Sequence, residues 1–174
     1  RTQKEDWIVM VSVIIIRNTY GGDLYLRKGC FYVTNHLRAY APGGHGVDYT
    51  DAYSCYDDMV AVKRYYGKTS DNPLLHIVVS YDYGVKDIET ASELGRRCAR
   101  YFDSQYQNVF CTHEADHECS FFHTHIIVNS VSYKDGKLIS SWYGYMQQLC
   151  QFVAYVTNQN PYLTLKNKAN NFED

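Results

Sequence analysis

The residues best suited to chemistry are two histidines, His123 and His125, in the run 122–129, where polar side chains recur among apolar ones. This pattern predicts a buried strand. Alternate strand residues share a face, so both imidazoles and Asn129 point the same way, and the two histidine Cα atoms lie roughly 6.5 Å apart. Because a metal–nitrogen bond is about 2 Å long, both rings can converge on one metal ion.

Two ligands hold a metal weakly, so a third should come from nearby. His113 and His117 lie just upstream, with Glu114 and Asp116 as oxygen donors and Cys119 as a further candidate ligand. Three neutral imidazoles would leave coordination positions open to substrate, which is typical of catalytic sites. The alternative for any single histidine is a half-buried side chain satisfied by hydrogen bonds. The H-x-H pattern, with more histidines and carboxylates before it, favours the metal.

A metal at this site would polarise a phosphoryl oxygen, and the nucleophile is then either water or a side chain. For water, Asp116 or Glu114 is the expected base. For a side chain, tyrosine is the abundant candidate, because the chain contains 18 tyrosines. A phenol with a pKa near 10 needs help from a metal or a base. Packing at sheet edges explains most of the tyrosines, although aromatic rings also stack on unpaired bases.

The elements that must position these residues are both helices and strands. The pattern predicts strands over 7–16, 74–81, 106–112, 122–133 and, after a hairpin at 134–137, 138–141. It predicts helices over 28–35, 51–66, 87–103 and 141–156. Residues 41–46 should form a loop, and 158–174 a frayed end or linker. This order lacks regular β–α alternation, so we predict an α+β fold with a mainly antiparallel central β-sheet and helices on one side.

The totals set limits on what the chain can be. With 174 residues, the chain should form a single domain over 1–174. Its net charge of −2 does not indicate a nucleic-acid partner, so a polyanion would need a local basic face. Six cysteines without a C-x-x-C pair favour reduced thiols and a cytoplasmic protein. The apolar stretch 7–16 is too short to span a bilayer, so we expect no membrane insertion.

Three segments resemble, in order, the motifs of the relaxase/mobilization nuclease family, MobP-like HUH endonucleases that start conjugative DNA transfer. Residues 112–131, with their three histidines, are similar to the third motif of this family. The H-x-x-x-S-aromatic pattern at 76–81 is similar to the second motif, and 28–35, around Tyr32, resembles the motif that carries the catalytic tyrosine. The resemblance covers roughly 24–141 and implies an HUH-endonuclease-like fold.

The resemblance also implies roles for individual residues. His113, His123 and His125 would bind a divalent metal, Mn²⁺ or Mg²⁺, with Zn²⁺ as the alternative. Tyr32 would attack a phosphodiester at an origin of transfer and form a 5′-phosphotyrosine intermediate. Asp116 or Glu114 would hold a ligating imidazole in its tautomer. Residues with a supporting or DNA-binding role would be His76, Ser80, Asn129, Lys28, Lys63, Arg64 and Lys68.

Some features depart from the family pattern. The spacing between His113 and His123 is longer than in many members, so His117 is an alternative third ligand. Tyr20, Tyr25 and Tyr40 compete with Tyr32 as the nucleophile. Relaxases are usually longer, so we expect the chain to be the N-terminal nuclease domain of a larger protein.

The implied partner is single-stranded or hairpin DNA from the origin of transfer, with accessory mobilization proteins and a type IV secretion coupling protein. Tyr49 and Tyr53 could clamp bases, and a basic groove could hold the backbone. The candidates for that groove are Arg17, Arg27, Lys28, Arg38, Lys63, Arg64 and Lys68. Three other functions remain open: a rolling-circle replication initiator, a metal phosphohydrolase that uses water, and a non-catalytic zinc-stabilised DNA-binding module.

Overall fold

A computed structural model describes residues 9–17, 22–69, 72–117, 119–140 and 143–167. Within these ranges, six strands form one sheet in the order β2-β4-β5-β3-β1-β6. The strands are β1 (Met10–Arg17), β2 (Tyr40–His45), β3 (Leu74–Tyr81), β4 (Asn108–His113), β5 (His123–Asn129) and β6 (Asn160–Asn167). Neighbouring strands are antiparallel except β1 and β6, which are parallel. This confirms a mainly antiparallel sheet in an α+β fold.

Four helices occur in the described part of the chain: α1 (Asp23–Thr34), α2 (Ala52–Tyr65), α3 (Ile88–Ala99) and α4 (Tyr143–Thr157). Aspartates begin two of them, because Asp51 accepts a hydrogen bond from the Ser54 amide at 2.8 Å and Asp87 accepts one from the Thr90 amide at 2.7 Å. Each carboxylate satisfies one of the amides that a helix start leaves without an intrahelical partner. Among these helices, none is long and apolar enough to cross a bilayer.

The helices cover both faces of the sheet, so the prediction of helices on one side was wrong. On one face, α1 and α2 enclose a core with Val109, Cys111 and Ile127 from the sheet. On the other face, α3 and α4 enclose a larger core that includes Ile126 and Val128. Strand β3 is buried along its whole length, which is the pattern of a strand covered on both sides.

The packing of α3 on β5 depends on one glycine. A Cβ atom at Gly95 would overlap the side chain of Thr124, so any larger residue would push the helix away from the strand. The Thr124 hydroxyl is also within 2.9 Å of the Tyr81 and Thr112 hydroxyls. These contacts hold β5 in place at Thr124, the residue between His123 and His125, on the face of the strand that points away from the two histidines.

Two segments differ from the prediction at the edges of the sheet. Residues 41–46 were predicted as a loop, but most of them belong to edge strand β2, which pairs with β4 through a register shift between Tyr40 and Gly43. An edge position tolerates Pro42, and a Cβ at Gly43 would overlap the Phe110 ring. The segment after residue 158 was predicted as frayed, yet Asn160–Asn167 forms β6; residues 168–174 lie outside the described part of the chain.

Other boundaries shift by a few residues. The strand predicted over 122–133 ends at Asn129, and the hairpin beyond it is closed by a single bridge between Val131 and Leu138. The helix predicted over 28–35 is the second half of α1. Residues 7, 8, 141 and 142, which belong to predicted elements, lie outside the described residues.

Candidate metal and nucleophile site

The pairing of β4 with β5 brings the three predicted ligands together. His113 lies opposite His123, and His125 lies on the same face of β5 two residues further along. All three side chains are buried, and one ligand nitrogen from each lies within 4.8 Å of the others. The alternative ligand, His117, is exposed in the loop after β4. The cluster of His113, His123 and His125, which we call the histidine triad, could therefore hold a metal ion.

A hydrogen bond holds one of these rings in the form that a metal requires. Nδ1 of His123 donates to the carbonyl of Phe121 at 2.9 Å, which leaves the Nε2 lone pair available. Nδ1 of His125 is 2.9 Å from Nε2 of His76, and when Nδ1 is the donor in this pair, Nε2 of His125 is available in the same way. His76 thus lies where a supporting residue was predicted. To bind one ion, the ligand nitrogens of the triad would have to move slightly closer together, because two nitrogens bound to the same ion are at most about 4.2 Å apart.

His113 is held as a neutral ring. Burial, followed by the nearby charge of His123, lowers the pKa of His113 to about 4. Its Nε2 is 3.3 Å from the Cys111 sulfur. At neutral pH this imidazole is unprotonated, as a metal ligand must be.

His123 responds in the opposite direction. Burial alone would lower the pKa of His123, but hydrogen bonds to the Cys119 thiol and the Phe121 carbonyl, with the Asp116 charge nearby, outweigh burial and raise it. Burial would raise the pKa of the Cys119 thiol, but its hydrogen bonds with His123 and Ser80 outweigh that effect and lower it. The sulfur of Cys119 lies 3.0 Å from the Ser80 hydroxyl, so Ser80 contacts a residue that hydrogen-bonds His123.

The loop after β4 brings a carboxylate to the triad. Oδ2 of Asp116 is 3.7 Å from Nε2 of His123, and its Oδ1 accepts a hydrogen bond from the Cys119 amide at 2.8 Å. The sequence suggested that Asp116 would fix the tautomer of an imidazole, but the Phe121 carbonyl does so for His123. Asp116 instead lies on the ligand side of the ring, while Glu114 is exposed in the same loop.

Tyr32 reaches the triad from α1. The helix buries Leu26, Cys30 and Val33 against the sheet, and this packing directs the neighbouring Tyr32 toward β4 and β5. Its hydroxyl lies 3.4 Å from Nδ1 of His113 and 3.5 Å from Nε2 of His125. The phenol therefore lies at the edge of the predicted metal site, although it is distant from the histidines in sequence.

The competing tyrosines have other positions. Tyr25 is buried in the core beneath α1 and α2, Tyr40 lies on edge strand β2, and Tyr20 is outside the described residues. Among the three candidates in the described part of the chain, the structure brings Tyr32 to the histidines.

Two residues predicted to support the site lie elsewhere. Asn129 shares a face with His125, but it is four residues further along β5, about 13 Å away. Its amide donates to the Met59 carbonyl at 3.0 Å and to the Gln107 side chain at 2.8 Å, and so ties α2 to the sheet. Both amide donors of Asn129 are therefore bound to protein groups in this structure.

Lys63 was expected in a basic groove, but it is 5% exposed and donates to the Ser130 hydroxyl at 2.7 Å. Ser130 directly follows β5, so this contact places the last turn of α2 at the C-terminal end of the strand, whereas His123 is at its N-terminal end. Arg64 and Lys68 follow Lys63 in the same region. Of the predicted basic residues, Arg27 and Lys28 share a cleft with Tyr32.

That cleft, which we call the α1 cleft, has a volume of about 680 Å³. A second cleft of about 450 Å³ is lined by Ser80 and Phe121, both of which contact residues of the site. Tyr32 thus lines the first cleft, and Phe121, whose carbonyl accepts the His123 hydrogen bond, lines the second. Sequence reasoning missed Phe121 and Cys111 as site residues, because their contacts arise from a backbone carbonyl and from strand register.

Comparison with known families identifies the chain. A family model for the relaxase MobA/VirD2-like nuclease domain matches residues 32–160, about three-quarters of the sequence. The comparison with curated proteins and the comparison with solved structures give no match. The match begins at Tyr32 and includes all three histidines of the triad. The chain therefore belongs to the relaxase family and carries its MobA/VirD2-like nuclease domain.

Proposed function

We propose that the protein is a DNA relaxase that nicks one strand at an origin of transfer, with Tyr32 as the nucleophile beside a metal-bound histidine triad. The observation that carries this proposal is the position of the Tyr32 hydroxyl, 3.4 Å and 3.5 Å from nitrogens of His113 and His125. A phenol that serves only packing has no need to lie against two buried imidazoles at the mouth of a cleft.

The residues present fit a divalent cation. His113, His123 and His125 would hold it, and the Asp116 carboxylate can add an oxygen. Oxygen donors and phosphate suit Mn²⁺ or Mg²⁺, while three imidazoles also suit Zn²⁺ as the alternative. When bound, the ion would polarise the phosphoryl oxygen and stabilise the charge that develops on it.

The reaction exchanges one phosphodiester for another. The Tyr32 oxygen attacks phosphorus, the bond to the 3′-oxygen breaks, and the leaving strand takes a proton to become a 3′-hydroxyl. The phenol gives up its proton, for which we propose Asp116 as the acceptor because its carboxylate lies 3.7 Å from Nε2 of His123. The 5′-phosphotyrosine keeps the energy of the broken bond, so the strand can be rejoined.

The substrate we propose is single-stranded or hairpin DNA, because an in-line attack needs an accessible phosphate. We also propose that the chain is the nuclease domain of a longer cytoplasmic protein that works with accessory mobilization proteins and a secretion coupling protein. The sequence resemblance and the relaxase family match support these partners.

The test is incubation of the protein with a labelled single-stranded origin oligonucleotide and Mn²⁺ or Mg²⁺, followed by denaturing electrophoresis. We expect a covalent protein–DNA adduct that is lost in Tyr32→Phe and kept in the control Tyr40→Phe. Cleavage without an adduct would identify a hydrolase that uses water. Metal binding without cleavage would identify a DNA-binding module, and an adduct that persists in Tyr32→Phe would exclude this nucleophile.

A further inference from the structure

An aromatic pair beside a cation lies at the α1 cleft, which Arg27 and Phe31 line. Phe31 on α1 and Tyr53 on α2 meet edge to face, with ring centroids 4.8 Å apart and planes at 86°. The guanidinium carbon of Arg27, one helical turn before Phe31, lies 5.7 Å and 5.4 Å from the two centroids. The rings are 37% and 55% exposed, so burial of apolar surface does not account for their position.

We propose that Arg27, Phe31 and Tyr53 form a stacking site for one unpaired base of a single-stranded DNA. We call these three residues the aromatic box. This inference deepens the proposed relaxase function and rests on it for the identity of the strand. In this role the box positions the substrate and does not take part in the bond exchange.

The chemistry of the cleft favours a nucleic acid over an apolar ligand. Exposed aromatic faces accept any base, and a guanidinium beside them can bind phosphate. Arg27 and Lys28 both line this cleft, which gives it a local cationic character although the whole chain carries a net charge of −2. The one carboxylate in the lining, Asp51, caps α2 through the Ser54 amide. A volume of about 680 Å³ lies within the usual range for ligand sites.

The helix also fixes which base the box can bind. Phe31 and Tyr32 are consecutive residues of α1, and both line the cleft. Consecutive side chains point about 100° apart around a helix, and their Cα atoms are about 3.8 Å apart. A base stacked on Phe31 therefore belongs to a nucleotide that flanks the phosphate beside Tyr32. Stacking there would set the register of the strand against the nucleophile.

Arg27 has a separable role. Its flat guanidinium can remain against the rings while its N–H groups bind a phosphate of the strand. Phe31 and Tyr53 should therefore contribute an affinity that depends on the presence of bases, and Arg27 one that depends on salt. These two dependences can be measured independently.

The experiment compares two labelled strands of equal charge, dT12 and an abasic 12-mer, by fluorescence anisotropy in EDTA at several NaCl concentrations. Phe31→Ala and Tyr53→Ala should each weaken dT12 binding about 5- to 150-fold and leave abasic binding unchanged. Arg27→Gln should reduce the slope of log K against log[salt] by about 0.7, the value for one phosphate of a single strand. Tyr65→Ala is the matched control, because Tyr65 is 82% exposed on the same helix about 18 Å from Tyr53.

Unchanged dT12 affinity in Phe31→Ala, or an equal loss for both strands, would overturn the stacking site. Should Phe31→Ala fail to fold, Phe31→Trp must keep the preference for dT12 over the abasic strand, and loss of that preference would overturn the proposal. The adduct assay of Tyr32 is separate from these measurements. If the preference for dT12 depends on Phe31 but no adduct forms, the aromatic box is supported and the relaxase function is contradicted. If an adduct forms but the preference does not depend on Phe31, only the aromatic box is contradicted.

Discussion

Strand β5 presents two faces with opposite contents. On one face, His123 and His125 lie in the histidine triad under Tyr32. On the other, Ile126 and Val128 pack in the apolar core beneath α3 and α4. Side chains two residues apart share a face, so one face of this seven-residue strand carries the two histidines together with Ile127 of the α1–α2 core, and the other carries core residues of α3 and α4.

The difference shows how the fold supports a polar site. Each ring of the triad is buried, and burying polar groups costs free energy unless they are hydrogen-bonded. The Phe121 carbonyl and His76 meet that need for His123 and His125. The opposite face buries apolar surface, which stabilises the strand. Substitutions on the two faces should therefore separate function from stability.

The largest effect is expected on the histidine face. His125→Ala removes a predicted metal ligand and should reduce nicking by more than about 100-fold, since losing only an outer-shell partner costs 10–100-fold. Most of the DNA affinity should remain, because we propose that the strand is bound mainly by cleft residues other than His125. Nicking assays and anisotropy on the same preparation measure both quantities. Unchanged nicking would remove the metal site from the mechanism.

The matched substitution on the opposite face is Ile126→Ala, one residue away. Ile126 is 1% exposed, and truncating such a residue to alanine costs about 2–5 kcal/mol of unfolding free energy. Urea denaturation measures the loss. Metal affinity of the folded protein should change far less than its stability, because the Ile126 side chain points to the opposite face from the triad. If Ile126→Ala abolished metal binding while folded, the separation of the two faces would be wrong.

The smallest effect concerns pH and sharpens the comparison further. The pKa of His123 is raised above its ordinary 6.5, while that of His113 is lowered to about 4. Below the pKa of His123, its proton competes with the metal, so affinity for Mn²⁺ should rise about tenfold per pH unit and level off above that pKa. Calorimetric titrations between pH 5.5 and 8.5 would show a midpoint above 6.5.

The opposite face should contribute nothing to this profile, because burial raises the pKa of Tyr81 well above its ordinary value and keeps it protonated throughout. Affinity that is flat with pH, or that falls as pH rises, would contradict the proposed competition at His123.

Elements with strong local signals were predictable from the sequence. Strand β3 matches its predicted range, and the Asp51 cap and helix α2 follow local rules. Strand β2 was missed because Pro42, Gly43 and Gly44 have low strand propensity. The Phe110 ring fits against Gly43 because glycine has no side chain. Strand β6 was missed because its polar sequence forms a strand only through pairing with β1.

The site was predictable in its composition more than in its contacts. Alternation placed His123 and His125 on one face, but the sequence could not show that His113 lies opposite His123, since register is a tertiary property. The same limit explains Asn129 and Lys63, whose residue types suited a site but whose neighbours are Gln107 and Ser130. The sequence also gave no sign that Phe121 would act through its backbone.

The bare Cα of Gly95 has a consequence for how this nuclease tolerates change. Because α3 packs directly against Thr124, the position of this helix determines the positions of Thr124 and of the two histidines beside it, His123 and His125. A methyl group added at Gly95 would overlap Thr124 and should shift His123 and His125 through the backbone, unlike Ile126→Ala, which only removes atoms. Variation of this glycine should therefore be restricted by the reaction as much as by folding.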